Sequence, residues 1–347
     1  MRTSLLLGSA TAALLTFPLA CAKTSPSPGP AVGAGGAVVP PAGRQVAVAT
    51  AAQLQAALGA ARPGDVITLA DGTYTGQFSI ARGLSGTAGN SIVLQGSRQA
   101  LLQTGNRKSG NAALFLLGNE HWEFRGFTVA NSKKGVMVDF SSHNVFAELS
   151  ILDIGEEGIH FRRFSSYNVL RNSTIQGTGL EQPGYGEGCY IGSAKSNWAT
   201  YTEGEPDKCD FNQVLDNVFG NNVKAENIDI KEGTTGGIIR GNAFNGQGLD
   251  GANYADSWLD VKGNNNLISA NTGTNGGPVL LDGYQTHVAV AGWGEGNVFR
   301  DNQCAVQAAG YGFNIQTKNG SALGNQVHAS NRVTGAAAGV ANVPVTP

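Results

Sequence analysis

Three stretches decide the fold: Gly237-Ile238-Ile239-Arg240-Gly241-Asn242, Asn266-Leu267-Ile268-Ser269-Ala270-Asn271 and Asn297-Val298-Phe299-Arg300-Asp301-Asn302. Each is an aliphatic or aromatic pair bracketed by Gly or Asn and closed by Asn. The pattern extends in both directions, through Asn144-Val145-Phe146, Asn168-Val169-Leu170-Arg171-Asn172 and Gln213-Val214-Leu215-Asp216-Asn217, and on to Asn325-Gln326-Val327 and Asn331. The closing Asn residues fall at 172, 217, 242, 271, 302 and 331, at intervals of 45, 25, 29, 31 and 29. A coil of this length, rich in Gly and Asn and poor in helix signals, predicts a single-stranded right-handed parallel β-helix, an all-β solenoid. Gly and Asn tolerate the left-handed backbone needed at the corners. A β-sandwich has turn signals every 8–12 residues and needs no repeat this long.

The 45-residue interval holds one long insertion, Ser193–Asp210, with Trp198, Tyr201, Glu203, Glu205 and Asp207. Insertions in solenoids map to loops, often on the binding face, so this segment is expected to project from one corner. Thr50–Ala61 is the one clear helix signal, with Leu54 and Leu58 one turn apart. It is placed to cap the open end of the stack, which would otherwise invite aggregation.

The 347 residues divide into an export signal (1–22), a Pro/Ala/Gly linker (23–43), the β-helix (44–333) and a disordered tail (334–347). Met1–Ala22 carries one Arg, the apolar run Leu5–Leu19 and an Ala-x-Ala cleavage site, which implies secretion. Leu19-Ala20-Cys21 also reads as an imperfect lipoprotein box, leaving lipid anchoring through Cys21 as the alternative. The apolar run is too short for a membrane span. The fifty glycines are spread through the repeats, and the net charge is −2, so collagen and nucleic-acid readings both fail. An oxidising compartment makes a Cys189–Cys209 bridge across the insertion plausible, with Cys304 left as a buried apolar residue.

Two strand-like runs carry charge one repeat apart: Asn227-Ile228-Asp229-Ile230-Lys231 and Trp258-Leu259-Asp260-Val261-Lys262. Alternation puts the aliphatic residues on one face and the charges on the other. With Gly158-Ile159-His160-Phe161-Arg162 and Gly188-Cys189-Tyr190-Ile191-Gly192 the runs stack without gaps. One outward column is then His160, Tyr190, Asp229 and Asp260. The next is Arg162, Gly192, Lys231 and Lys262, with a notch at Gly192 that could admit a ligand. The inward column Phe161, Ile191, Ile230 and Val261 is uniformly apolar, and a one-residue slip would bury the charges. Solvated salt bridges would explain the charges but not His160 and Tyr190 among them.

A row of Lys, Arg, Tyr and His on a long β-surface suits an anionic polymer, and polysaccharides of uronic acids are the obvious class. Their cleavage by β-elimination needs the carboxylate neutralised, a base for the C5 proton and an acid for the leaving oxygen. A lysine whose pKa is lowered by neighbouring cations can serve as that base.

The chain resembles polysaccharide lyase family six, the chondroitinase B and alginate lyase group. The resemblance lies in Ala51-Ala52-Gln53-Leu54 through Pro63-Gly64-Asp65, Leu69-Ala70-Asp71-Gly72-Thr73-Tyr74, and above all residues 186–272. It implies Lys231 as the base and Asn217, Glu226 and Asp229 as ligands of a Ca2+ cofactor. Lys262 stands where the family has an Arg, and the family's Glu-x-Glu lies further upstream than Glu226 and Asp229. Lys262, Arg162 and His160 complete the expected catalytic group, with Tyr190, Asp260, Trp198 and Tyr201 as substrate-binding residues. The residues themselves favour a stacking Asn of the solenoid at Asn217 over a metal ligand. The expected partner is an acidic polysaccharide, met by a monomer. A glycoside hydrolase using Asp229 and Asp260, a C5-epimerase, and a non-catalytic adhesin stacking sugars on Trp198, Tyr201, Trp258, Tyr284 and Trp293 remain as alternatives.

Overall fold

The computed structural model describes residues 43–347. Within them the chain winds through three parallel sheets in turn. One sheet has eleven strands and the other two have ten each, and every pairing joins a strand to its equivalent one coil away. This is the expected right-handed parallel β-helix. The export signal at 1–22, Cys21 and the linker up to residue 42 lie outside the described residues.

The apolar positions of the repeat face inward and stack like on like. In the third sheet Phe161, Ile191, Ile230 and Val261 are consecutive partners, as are Ile159, Cys189, Ile228 and Leu259. All are buried. Aromatic rings stack along the same axis, including Phe124 on Phe146 and Tyr284 on Phe313, adding packing beyond area burial.

Two Asn ladders hold the corners. Asn217, Asn242, Asn271, Asn302 and Asn331 each sit one coil from the next. Each side-chain oxygen accepts from the backbone N–H and the amide of the residue before it. A second ladder runs through Asn144, Asn168 and Asn212, and resumes from Gly237 through Asn266, Asn297 and Asn325. The ladders satisfy backbone groups that the corners strip from the sheets. Ser173, not Asn172, meets Asn217 in the first ladder, while Asn172 takes the left-handed corner beside it.

The N-terminal cap is α1 (Ala51–Gly59), which buries Leu54 and Leu58. Thr50 Oγ accepts from the Gln53 N–H, and Gln53 Oε1 accepts from the Ala49 N–H. This reciprocal pairing fixes the helix start. Three expectations are corrected. The insertion folds into a second helix, α2 (Lys195–Tyr201). Residues 334–347 are not a loose tail: Arg332–Ala336 and Gly339–Ala341 are strands, and Thr346 bonds back to Val327. The Cys189–Cys209 bridge is absent, because Cys189 points into the apolar column and the Cys209 thiol donates to Asp207 at 3.3 Å. Cys304 is buried as expected.

Candidate active site

The outer face of the third sheet carries the expected columns. His160, Tyr190, Asp229 and Asp260 are paired partners on four successive strands. Lys231 and Lys262 follow one step along, each backbone N–H donating to the previous coil. These side chains are outward but not freely solvated, because loops wall the sheet into a groove. Lys231 is only 8% exposed.

Two cavities lie over the centre of the groove. One, of about 530 Å³, is bordered by Glu226, Asp229, Lys231, Asp260, Lys262 and His287. The other, of about 380 Å³, is bordered by Lys134, Glu157, His160, Arg162, Tyr190 and Tyr201. Tyr190 and Lys231 stand where they meet, with the ammonium 5.1 Å from the ring centre.

A chain of alternating charge runs through the first cavity. His287 Nδ1 lies 2.7 Å from Asp260, which also binds Lys262. Lys262 reaches Asp229 at 3.1 Å, and Asp229 grips Lys231 at 2.5 Å. Burial alone would push Lys231 down, but the charge and hydrogen bond of Asp229 outweigh it and raise the amine above lysine's ordinary value. The expectation of a lysine lowered by neighbouring cations is therefore corrected: the salt bridge to Asp229 dominates. Burial, then the charge of Asp229, raises the Tyr190 phenol well above its usual range, so it stays protonated.

In the second cavity Arg162 makes a two-pronged bond to Asp139, at 2.7 and 3.1 Å, and lies 4.2 Å above the Tyr201 ring. His160 Nε2 donates to the Gly192 carbonyl at 2.8 Å, so Nδ1 faces Glu157 at 3.5 Å. The Gly192 notch is not open. A Cβ there would come within 2.7 Å of Thr234, whose side chain fills the space.

Of the three expected metal ligands, Glu226 and Asp229 are in the groove and Asn217 is not. Asn217 sits in the corner ladder between the strands Gln213–Leu215 and Val218–Phe219, its amide donating to Leu170 and Asn242. Glu187 takes its place, for carboxylate oxygens of Glu187, Glu226 and Asp229 all lie within 4.8 Å of one another. Burial first, then the charges of Glu157 and Asp229, push Glu187 up to about 8. Burial, then Asp229 and Asp260, likewise raise Glu226. Glu187 Oε2 is buried with no hydrogen-bond partner. Hard oxygen donors left short of positive charge suit a divalent cation such as Ca2+.

Trp198 is also corrected: it is buried inside the insertion, its indole donating to the Ser193 carbonyl. Trp258 and Tyr284 pack in the core. The sequence reading missed Glu187 and His287. Extending the aligned strands back one residue would have found Glu187, since Glu157, Glu187 and Glu226 precede Gly158, Gly188 and Asn227. Extending the columns forward one coil would have found His287, which follows Thr286 as Lys262 follows Val261.

A right-handed β-helix profile matches residues 82–205. Among solved structures, an alginate lyase from Paenibacillus sp. str. FPU-7 is 39% identical, with a TM-score of 0.79, over 87% of this chain and 99% of that one. Pectate lyase Pel9A is 15% identical over 88% of this chain and 82% of that one, with a TM-score of 0.57. PfbA, a surface adhesin of Streptococcus pneumoniae, is 12% identical over 85% and 75%, with a TM-score of 0.55. The last two share the fold alone. No curated protein sequence matches the chain. No helix among the described residues is long and apolar enough to cross a membrane.

Proposed function

The chain belongs to the β-helix polysaccharide lyase family that includes the Paenibacillus alginate lyase, and from that premise we propose that it cleaves a uronic-acid polysaccharide by β-elimination. The observation that carries this reading is Lys231 beside Tyr190 where two cavities of one charged groove meet.

The polymer lies along the groove, crossing the strands, with the scissile residue over Lys231 and Tyr190. Lys231 removes the C5 proton. Tyr190, protonated at neutral pH, gives its proton to the leaving glycosidic oxygen. Lys262 and Arg162 face uronate carboxylates on either side. Asp229 holds the resting Lys231 as an ammonium, so the base forms only when that grip is released and the ammonium gives a proton to solvent. A Ca2+ ion on Glu187, Glu226 and Asp229 would supply positive charge for the substrate carboxylate and compete for Asp229. Asp229 and Asp260 are each committed to lysines, which disfavours a paired-carboxylate hydrolase. A polymer of this size places the enzyme outside the cell, in keeping with the export signal read at residues 1–22.

The test is incubation with alginate, pectate, glucuronan and chondroitin, with and without chelator, following the ultraviolet absorbance of an unsaturated product. New absorbance with shortened chains supports the lyase. New reducing ends without absorbance, or binding without turnover, would overturn it.

A further inference from the structure

Two short turns on the entry side of the third sheet remain unused by the core and by the chemistry above. Pro183–Tyr185 precedes the strand Cys189–Ile191, and Ala252–Tyr254 precedes Ser257–Val261. Between those strands lies Ile228–Ile230, the one that carries Asp229. The turns lean over the entrance to that strand and touch. Asn253 Nδ2 donates to the Gly184 carbonyl at 3.4 Å, and a Cβ on Gly184 would lie 3.3 Å from that of Asn253.

The second turn is strained. Asn253 and Tyr254 have φ of 58° and 65°, directly after Ala252 and a left-handed Gly251. A side chain beyond Cα makes the left-handed conformation unfavourable at both positions. Burial does not repay it, because Tyr254 is 90% exposed. The strain holds a bare aromatic ring at the edge of the larger cavity, beside Lys231 and Lys262. Tyr185, 58% exposed, stands at the edge of the other cavity beside Arg162, Tyr190 and Tyr201. The two turns thus mark both sides of the Lys231 rung.

We propose that Tyr185 and Tyr254 are aromatic platforms that bind pyranose rings of the polyuronate, one on each side of the bond that is broken; this rests on the lyase reading. The turns meet at Gly184 and Asn253, but each ring borders a different cavity, so the rings can meet separate sugars of one chain. A pyranose presents an apolar C–H face that packs on a tyrosine ring, while the phenol bonds to its hydroxyls. The larger cavity needs such a contact, because Glu226, Asp256 and Asp260 line it and weaken the hold of Lys262 on an anionic ring. Stacking attracts the sugar without adding charge.

The experiment compares Tyr254→Ala, Tyr185→Ala and Tyr254→Phe with the wild type. The readouts are kcat and KM on alginate and the other polyuronates, and oligosaccharide binding in a Lys231→Ala background. Each alanine variant should raise KM and the oligosaccharide Kd about five- to tenfold, with kcat little changed. Tyr254→Phe should restore most of the affinity lost in Tyr254→Ala. Melting midpoints should not move, since neither ring is buried. If the wild type cuts a polyuronate and both alanine variants match it in KM and Kd, the platforms are refuted and the lyase stands. If the wild type neither binds nor cuts any polyuronate, the lyase reading falls and the platforms with it.

Discussion

Asp229 serves two lysines, and that asymmetry makes Lys231→Ala and Asp229→Ala a discriminating pair. Lys262 has a second carboxylate partner in Asp260, but among the described residues Lys231 is bridged only to Asp229. Removing Lys231 leaves Asp229 with Lys262 at 3.1 Å, so every buried charge keeps an opposite. The loss is one charge-assisted hydrogen bond, about 1–3 kcal/mol. Removing Asp229 strands Lys231 in a nearly closed site, and breaking a buried pair this way costs about 3–5 kcal/mol. At about 2–4 °C per kcal/mol for chains of 150–250 residues, Lys231→Ala should melt a few degrees low and Asp229→Ala well below it. The rates should not follow that order: Lys231→Ala loses the base, about 10²–10⁴ in turnover, while staying folded. Circular dichroism melts and initial rates of unsaturated product measure both. Wild-type turnover in Lys231→Ala would refute the base. Equal destabilisation by the two variants would refute the shared-carboxylate account.

Further expectations follow from the same geometry. Glu187 titrates near 8 in the fold and near 4.5 when unfolded, so the folded state binds the extra proton between those values. Its contribution to stability therefore falls as pH rises from about 4.5 to 8, and Glu187→Gln should gain on the wild type over that window in urea titrations. Adding Ca2+ should raise the melting midpoint of the wild type but not of Glu187→Gln or Glu226→Gln, and chelator should slow turnover; a midpoint indifferent to Ca2+ argues against the site. Asp65 is held below its usual range by Arg44, so the stability it contributes is present above about pH 4 and lost as pH falls through its lowered value. Protection of the Gln45–Val48 amides, taken relative to their intrinsic exchange at each pH, should fall in acid and in Asp65→Ala. Asn271→Ala removes a ladder step that donates to Ile239 and Asn302 and accepts from Asn242; it orphans the Asn242 N–H and the Ile239 carbonyl and should cost about 2–6 kcal/mol, at 1–3 for each.

The solenoid was legible because it is periodic. A one-residue slip would have put Asp229 and Lys231 in the core, so alternation alone set the register of His160, Tyr190, Asp229 and Asp260. The capping helix was legible for the same local reason, Leu54 and Leu58 one turn apart, while the bonds that fix its start at Thr50 came from the folded chain. The resemblance to a β-helix lyase also came from the chain itself. What needed the folded molecule was everything set by distance between coils. Whether Lys231 is raised or lowered depends on the salt bridge it makes with Asp229 in the fold. Asn217 proved to be a corner rung because its amide is taken by Leu170 and Asn242. Trp198 turned inward because its insertion folded on itself as α2. Glu187 joined Glu226 and Asp229 only when two coils 39 residues apart in sequence were stacked. Periodicity dictates which side chains share a face; packing and the loops over that face decide which of them touch, and so what charge each one carries.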